Sequence, residues 1–190
     1  MDVFSFLNQP ASLVAPLLLG CILEWRLGDQ IIRVRIVETE AYEQADAASH
    51  SYKGKTPRTD VMFGPAGHAY VYFTYGMHYC FNVVTGSVGD GSAVLIRAVE
   101  PLEGEAIMGE RRNQSGVAVS NGPAKLCQAL GIDKALNGHD LRQAPLMLIP
   151  QSPLKDADIV QTTRIGISQA KDVPWRFYIK DNPYVSRTEQ

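Results

Sequence analysis

Long apolar runs, paired cysteines and blocks of like charge are all missing from this 190-residue sequence. Its longest apolar stretch runs only from Leu13 to Leu23 and carries Pro16, too short to cross a bilayer. Asp2 is the single charge before that stretch, so no basic secretory leader is predicted. The three cysteines (Cys21, Cys80, Cys127) are odd in number, far apart and without a CxxC spacing, which argues against both a disulfide framework and a zinc site. That usage fits a reducing compartment, and a cytoplasmic protein is expected. No internal repeat, low-complexity segment or Pro/Gly/Ser-rich linker divides the chain, so residues 1–190 are predicted to form one domain large enough to fold on its core alone.

A basic excess is absent as well: the formal net charge is -2 and the pI about 6.1. The charge is unevenly spread. Residues 1–48 carry three basic and seven acidic side chains, whereas residues 164–190 carry five and three. The basic excess in the middle and at the end predicts a narrow basic face around residues 70–79 and the C-terminal strands.

Alternating apolar and polar residues from Ile31 to Thr39, rich in β-branched side chains, predict a strand. Ala69–Phe73 and His78–Val84 predict two more, joined through Thr74–Met77 as a hairpin with Gly76 in its turn. Further strands are predicted at Ala93–Val99, Leu146–Ile149, Arg164–Ser168 and Trp175–Ile179. Helices are predicted at residues 12–19 (Ser12 as cap, Pro16 in the first turn, Gly20 as stop), near Glu103–Arg112, and at Ser120–Ile132 with Pro123 at its first position and Gly131 at its end. Strands follow one another through tight turns more often than through helices, which favours an antiparallel-rich α+β fold over a doubly wound parallel one.

Chemistry is gathered in one window. Six of the eight tyrosines lie between Tyr42 and Tyr79, and three of the four histidines between His50 and His78. Glu38 and Glu40 are two apart and share a face of an extended strand. Such a pair supplies either one base and one carboxylate held by a cation, or simply a solvated polar strand end. His50 follows in Asp46–His50, able to position a substrate or water, but a lone histidine is a weak signal. Glu40, His50, His68 and His78 lack a recognised metal-ligand spacing. Tyr70 and Tyr72 point to one side of the hairpin, and Tyr75 at its turn is either a wedge for a base stack or a ring packed on its own strands. Asn82 and Arg97 interrupt apolar strands. Each is either a pocket wall or structurally paired, Arg97 for example with Glu100.

Taken in order, Val37–Tyr42, Asp46–His50, Thr56–Arg58, the Met62–Pro65 and Tyr70–Asn82 segments, Leu95–Pro101 and Asn121–Ile132 resemble the alkyladenine (3-methyladenine) DNA glycosylase family. The resemblance continues through Arg164–Ile167, Trp175–Ile179 and Val185–Arg187, so it covers nearly the whole chain. It implies a curved, mostly antiparallel sheet with flanking helices and a protruding, DNA-intercalating hairpin. It implies that Glu40 is the general base and that Arg97 lies near it and the catalytic water. Tyr42, His50 and Tyr72 would hold the flipped base, Asn82 would crowd a guanine 2-amino group, and Tyr75 would fill the gap left in the duplex. Thr56, Arg58 and Lys125 would contact the DNA backbone. Glu38 carries no catalytic role across. One residue fewer separates Tyr42 from His50 than in vertebrate members, and His78 stands where those carry tyrosine.

The physics of the residues agrees. A base must leave the duplex to be reached. A cationic alkylpurine suits tyrosine faces. Lyase chemistry needs an amine nucleophile, and no lysine neighbours Glu40 in sequence. A monofunctional, monomeric hydrolase acting on damaged double-stranded DNA is therefore expected, with no metal, no cofactor and no membrane association. The alternatives are a non-catalytic DNA-binding module of the same fold, or a carboxylate-pair hydrolase of another glycoside using Glu38 with Glu40.

Overall fold

The strand pattern of Ile31–Thr39 extends in the structure to a thirteen-residue strand, β2 (Gln30–Tyr42), which is the spine of the fold. The computed structural model describes residues 2–186, so Arg187 of the Val185–Arg187 match lies outside the described residues. β2 pairs along one edge with β5 (Ser92–Glu103) over almost its whole length. Its other edge is shared between β1 (Ile22–Leu27) in the first half and β8 (Arg176–Ile179) at residues 38–40. β4 (His78–Thr85) lies beside β5 and β3 (Ala69–Thr74) beside β4, while β6 (Leu146–Ile149) adds to β1 and β7 (Ile159–Thr162) to β8. Every pairing is antiparallel, as the succession of tight turns predicts. No helix among the described residues is long and apolar enough to cross a membrane.

Three helices cover one face: α1 (Ala11–Leu17), α2 (Glu105–Arg112) and α3 (Pro123–Leu130). Val14 and Ala15 of α1 and Leu126 and Leu130 of α3 join Ile32, Val34 and Ile36 of β2 in one buried apolar cluster. Each large aliphatic side chain there contributes about 1.5–3 kcal/mol by leaving water.

Strict alternation would carry Glu38 and Glu40 into that same core behind Ile32, Val34 and Ile36. Two irregularities prevent it. Val37 is an extra residue on β2 between the Ile36–Val99 and Glu38–Ala98 pairs, and Arg97 is an extra residue on β5 between Glu38–Ala98 and Thr39–Ile96. A bulge of this kind reverses the side-chain alternation of its strand. Thr39 and Ala41 then take the core positions, the Thr39 hydroxyl donating to the Ala15 carbonyl at 2.9 Å. Glu38, Glu40 and Arg97 share the opposite face.

Two local expectations are corrected. The first helix begins at Ala11 after Pro10, so Pro16 sits in its last turn and Ser12 is not its cap. Its first N–H groups are satisfied from afar: Ala11 donates to Ser92 Oγ at 3.1 Å and Ser12 to Glu43 Oε1 at 3.0 Å. Residues 164–168 are not a strand. The Ile165 N–H that a ladder would use donates instead to the Glu40 carboxylate, and the Arg164 side chain turns inward.

Candidate active site

The sheet face that carries Glu40 and Arg97 opens into a cavity of about 440 Å³, which Pro123 at the start of α3 also lines. It is walled by β2, β5 and the β3–β4 hairpin, and by the irregular segment 165–169 across from them. Glu40, Arg97, Tyr42, His50, Tyr72, Asn82 and Tyr75, all singled out in the sequence, line this one space.

Glu40 is fully buried from solvent. Its Oε2 accepts from the Tyr42 hydroxyl at 2.7 Å, and its Oε1 accepts from the Ile165 N–H at 2.8 Å and lies 3.3 Å from Arg97 Nη1. Glu38 differs from it in kind. Its carboxylate accepts from Arg97 Nε at 3.1 Å, Arg176 Nε at 2.6 Å, Ser186 Oγ at 2.8 Å and the Ser186 N–H at 2.7 Å, and it does not line the cavity. Three of these donors converge on Oε1 and the fourth on Oε2, and the carboxylate is fully buried away from the cavity, so it is not presented to a ligand there. A hydrolase working with both acids is therefore poorly served by this geometry. Arg97 bridges the two carboxylates; Glu100, its suggested partner, is held instead by Arg35 and Asn182. Burial opposes the Arg97 charge, but Glu40 and then Glu38 raise its pKa above the ordinary value.

The aromatic wall comes from the hairpin and the loop after β2. The His50 ring stands edge-on to Tyr72, centroids 4.5 Å apart, and its Nδ1 lies 3.1 Å from the Tyr70 hydroxyl. Packing among these rings, and then the Arg58 charge, push the His50 pKa down to about 4 even though its outer edge is open to solvent. The imidazole is thus neutral at pH 7 and adds no charge to this wall. Burial, then Glu40, drives the Tyr42 phenol far above its ordinary pKa, so it remains a hydrogen-bond donor. Burial, then the Cys80 thiol, does the same for Tyr72, and burial pushes Tyr70 up to about 12. Asn82 is buried and donates from Nδ2 to the Tyr70 carbonyl at 3.0 Å, which fixes its carboxamide in the wall.

Tyr75 stands at the rim, 84% exposed, in the left-handed region at φ 51°. Gly76 follows at φ 67°. Two successive left-handed residues match the right-handed twist of a hairpin, but a tyrosine in that conformation carries strain that asparagine or glycine would not.

Thr56, Arg58 and Lys125 do not line the cavity. Thr56 is exposed and bonded to Thr59, and Lys125 on α3 donates to Asn121 Oδ1 at 2.9 Å. Arg58 sits over the Tyr72 ring, 5.5 Å from its centroid, nearer the pocket than a backbone contact requires. No sequence pattern marks the Ile165 N–H as a donor to Glu40 or segment 165–169 as the far wall. Backbone donors carry no side-chain signal, and that wall is more than a hundred residues from Glu40 in the chain. Among the described residues, no three histidine, cysteine, aspartate or glutamate side chains gather as a metal site.

Relatives agree along the full length. A protein of Carboxydothermus hydrogenoformans is 53% identical over 184 residues, covering 96% of both chains. One of Methanoculleus marisnigri is 51% identical over 188 residues, covering 96% of this chain and 97% of its own. One of Desulfitobacterium hafniense is 48% identical over 195 residues, covering 95% and 96%. Each bears the name "Putative 3-methyladenine DNA glycosylase". The methylpurine-DNA glycosylase family model matches residues 5–183, and with agreement of that extent the chain belongs to the methylpurine-DNA glycosylase family.

Proposed function

We propose that this protein flips alkylated or deaminated purines out of duplex DNA and hydrolyses their N-glycosidic bond, leaving an abasic site. The observation that carries the reading is Glu40: a buried carboxylate inside an aromatic cavity, held by Tyr42, Ile165 and Arg97. In this reading it orients a water and takes its proton as oxygen attacks C1′ of the deoxyribose, a role worth about 10²–10⁴-fold in rate. Arg97 holds the carboxylate in place and counters its charge. Tyr42 takes one side of the flipped base and His50 with Tyr72 the other; a neutral histidine and two phenols suit a cationic 3-methyladenine or 7-methylguanine and also neutral hypoxanthine or ethenoadenine. Asn82 stands where a 2-amino group would collide. The strained, exposed Tyr75 enters the duplex and offsets the few kcal/mol that unstacking costs. Thr56, Arg58 and Lys125 meet phosphates, with Arg58 leaving Tyr72 to do so. Among the described residues lining the cavity none is a lysine, which supports hydrolysis over a lyase step.

The test is base release from duplexes carrying one 3-methyladenine, 7-methylguanine, hypoxanthine or ethenoadenine. Wild type releases at least one of them, and Glu40→Gln retains lesion binding with release slowed at least about 100-fold. Unimpaired release by Glu40→Gln removes the assignment. Lesion binding by wild type with no release from any duplex makes this a DNA-binding module instead.

A further inference from the structure

Two motif residues have no part in that reading, Asp46 of Asp46–His50 and Arg164 of Arg164–Ser168, and they meet behind Tyr42. Arg164 Cζ lies 4.8 Å from the centroid of the Tyr42 ring and 5.4 Å from that of Trp175. Its Nη2 donates to Asp46 Oδ1 at 3.0 Å, and its Nη1 donates to the other carboxylate oxygen and to the Ala41 carbonyl at 2.9 Å. Both side chains are almost wholly shielded from solvent. Tyr42 lines the cavity and Arg164 does not, so the guanidinium covers the ring from the side away from the bound base. Arg164 Nε has no hydrogen-bond partner among the described residues, as expected of a group wedged between two rings.

An apolar side chain would back a tyrosine without the desolvation that a buried ion pair incurs. The arginine does something that such a side chain cannot. Its rigid plane fixes the tilt of the Tyr42 ring. It also places a permanent charge roughly 8 Å from any base stacked on the opposite face, allowing about 3.5 Å for the aromatic contact. Asp46 cancels that charge.

We infer that the Asp46–Arg164 pair positions Tyr42 and, through its charge balance, sets how the pocket ranks cationic against neutral bases. The inference rests on Tyr42 stacking on the flipped base. With Asp46 neutralised, Arg164 stays charged, and its repulsion at that distance in a protein interior weakens a cationic base about ten- to thirtyfold. A neutral base is spared.

The experiment measures, in single-turnover base release, the half-saturating concentration of the full chain on duplexes carrying one 7-methylguanine or one hypoxanthine. Asp46→Asn raises the 7-methylguanine value about ten- to thirtyfold and the hypoxanthine value less than about threefold. Asp46→Asn combined with Arg164→Met removes both charges and returns the ratio of the two values to within about threefold of wild type. Equal weakening on both duplexes makes the pair scaffold only and overturns the inference. Asp46→Ser is made alongside, and loss of the folded state by both single variants, seen in melting curves, overturns it too. Failure of wild type to release either base is a different result: it removes the glycosylase reading itself.

Discussion

Glu38 and Glu40, two residues apart on one strand, should fail in opposite ways when each is changed to glutamine. Glu38 is fully buried, accepts four hydrogen bonds and lies between the guanidinium groups of Arg97 and Arg176. A carboxamide removes its charge and, whichever way it is turned, sets its NH2 against at least one N–H donor, that of Ser186 at the Oε2 position or those of Arg97 and Arg176 at Oε1. Breaking a buried pair in this way costs about 3–5 kcal/mol, which for a chain of this size lowers Tm by about 6–20 °C. Glu40 is more forgiving. A carboxamide oxygen can still accept from Ile165 and Arg97, the amide can donate to the Tyr42 hydroxyl, and Arg97 keeps Glu38 as counter-charge. The stability lost at Glu40 is therefore about 1–2 kcal/mol, while release falls by about 10²–10⁴. The assay pairs thermal melting with single-turnover base release at a temperature where both variants remain folded. Glu38→Gln then retains most of its release rate and Glu40→Gln retains most of its stability. If Glu38→Gln melts within about 2 °C of wild type, the buried-charge reasoning is wrong. If it loses release as completely as Glu40→Gln while folded, the separation of roles is wrong.

Tyr75→Ser should leave stability within about 0.5 kcal/mol of wild type, since the ring is exposed, yet weaken binding to lesion duplex in a fluorescence titration; equal affinity would remove the wedge role. His50, with its pKa pushed down to about 4, gains its proton only at and below that pH, so the profile of kcat/KM between about pH 5 and 8 should keep its shape in His50→Gln. A limb in that range that vanishes in the variant would show that the histidine titrates there. Gly91→Ala places a Cβ 2.7 Å from Phe63 Cε1 and 3.1 Å from Ser51 Cβ at φ +60°. It should lower the urea midpoint by an amount worth about 1–3 kcal/mol, with unchanged m-value.

The hairpin, the α3 helix and the gathering of acid and aromatic residues were legible because each rests on local pattern: Gly76 in a turn, Pro123 and Gly131 at helix ends, tyrosines at alternate positions. The sharing of one face by Glu38 and Glu40 was legible too. That this face is the one opposite Ile32, Val34 and Ile36 was not, because the bulges at Val37 and Arg97 leave no mark in a pattern of apolar and polar letters. Charge by segment misled in a related way. Glu24, Glu38, Glu40 and Asp46, four of the seven acids in residues 1–48, are buried. Arg164 and Arg176, counted toward a basic C-terminal face, are buried as the partners of Asp46 and Glu38. A sum over sequence treats such pairs as surface charge of two regions, when they cancel inside one site. β1 and β7 also escaped: β1 is a local hairpin partner of β2 across Gly28–Asp29, and β7 is a four-residue strand whose partner β8 begins at Arg176.

The contacts of Glu38 with Arg176 and Ser186, and of Asp46 with Arg164, span 138, 148 and 118 positions of the chain. During synthesis the two acids emerge first and wait. At elongation rates of about 5–20 residues per second, the last partner of Glu38 follows it by roughly 7–30 s. Until those partners arrive, Arg97 is the cation that Glu38 and Glu40 share, so burying the pocket side of the sheet sets two carboxylates against one guanidinium. The charge balance of the site is thereby expected to be complete only with residues 164–186, which also bring Phe177 to the core.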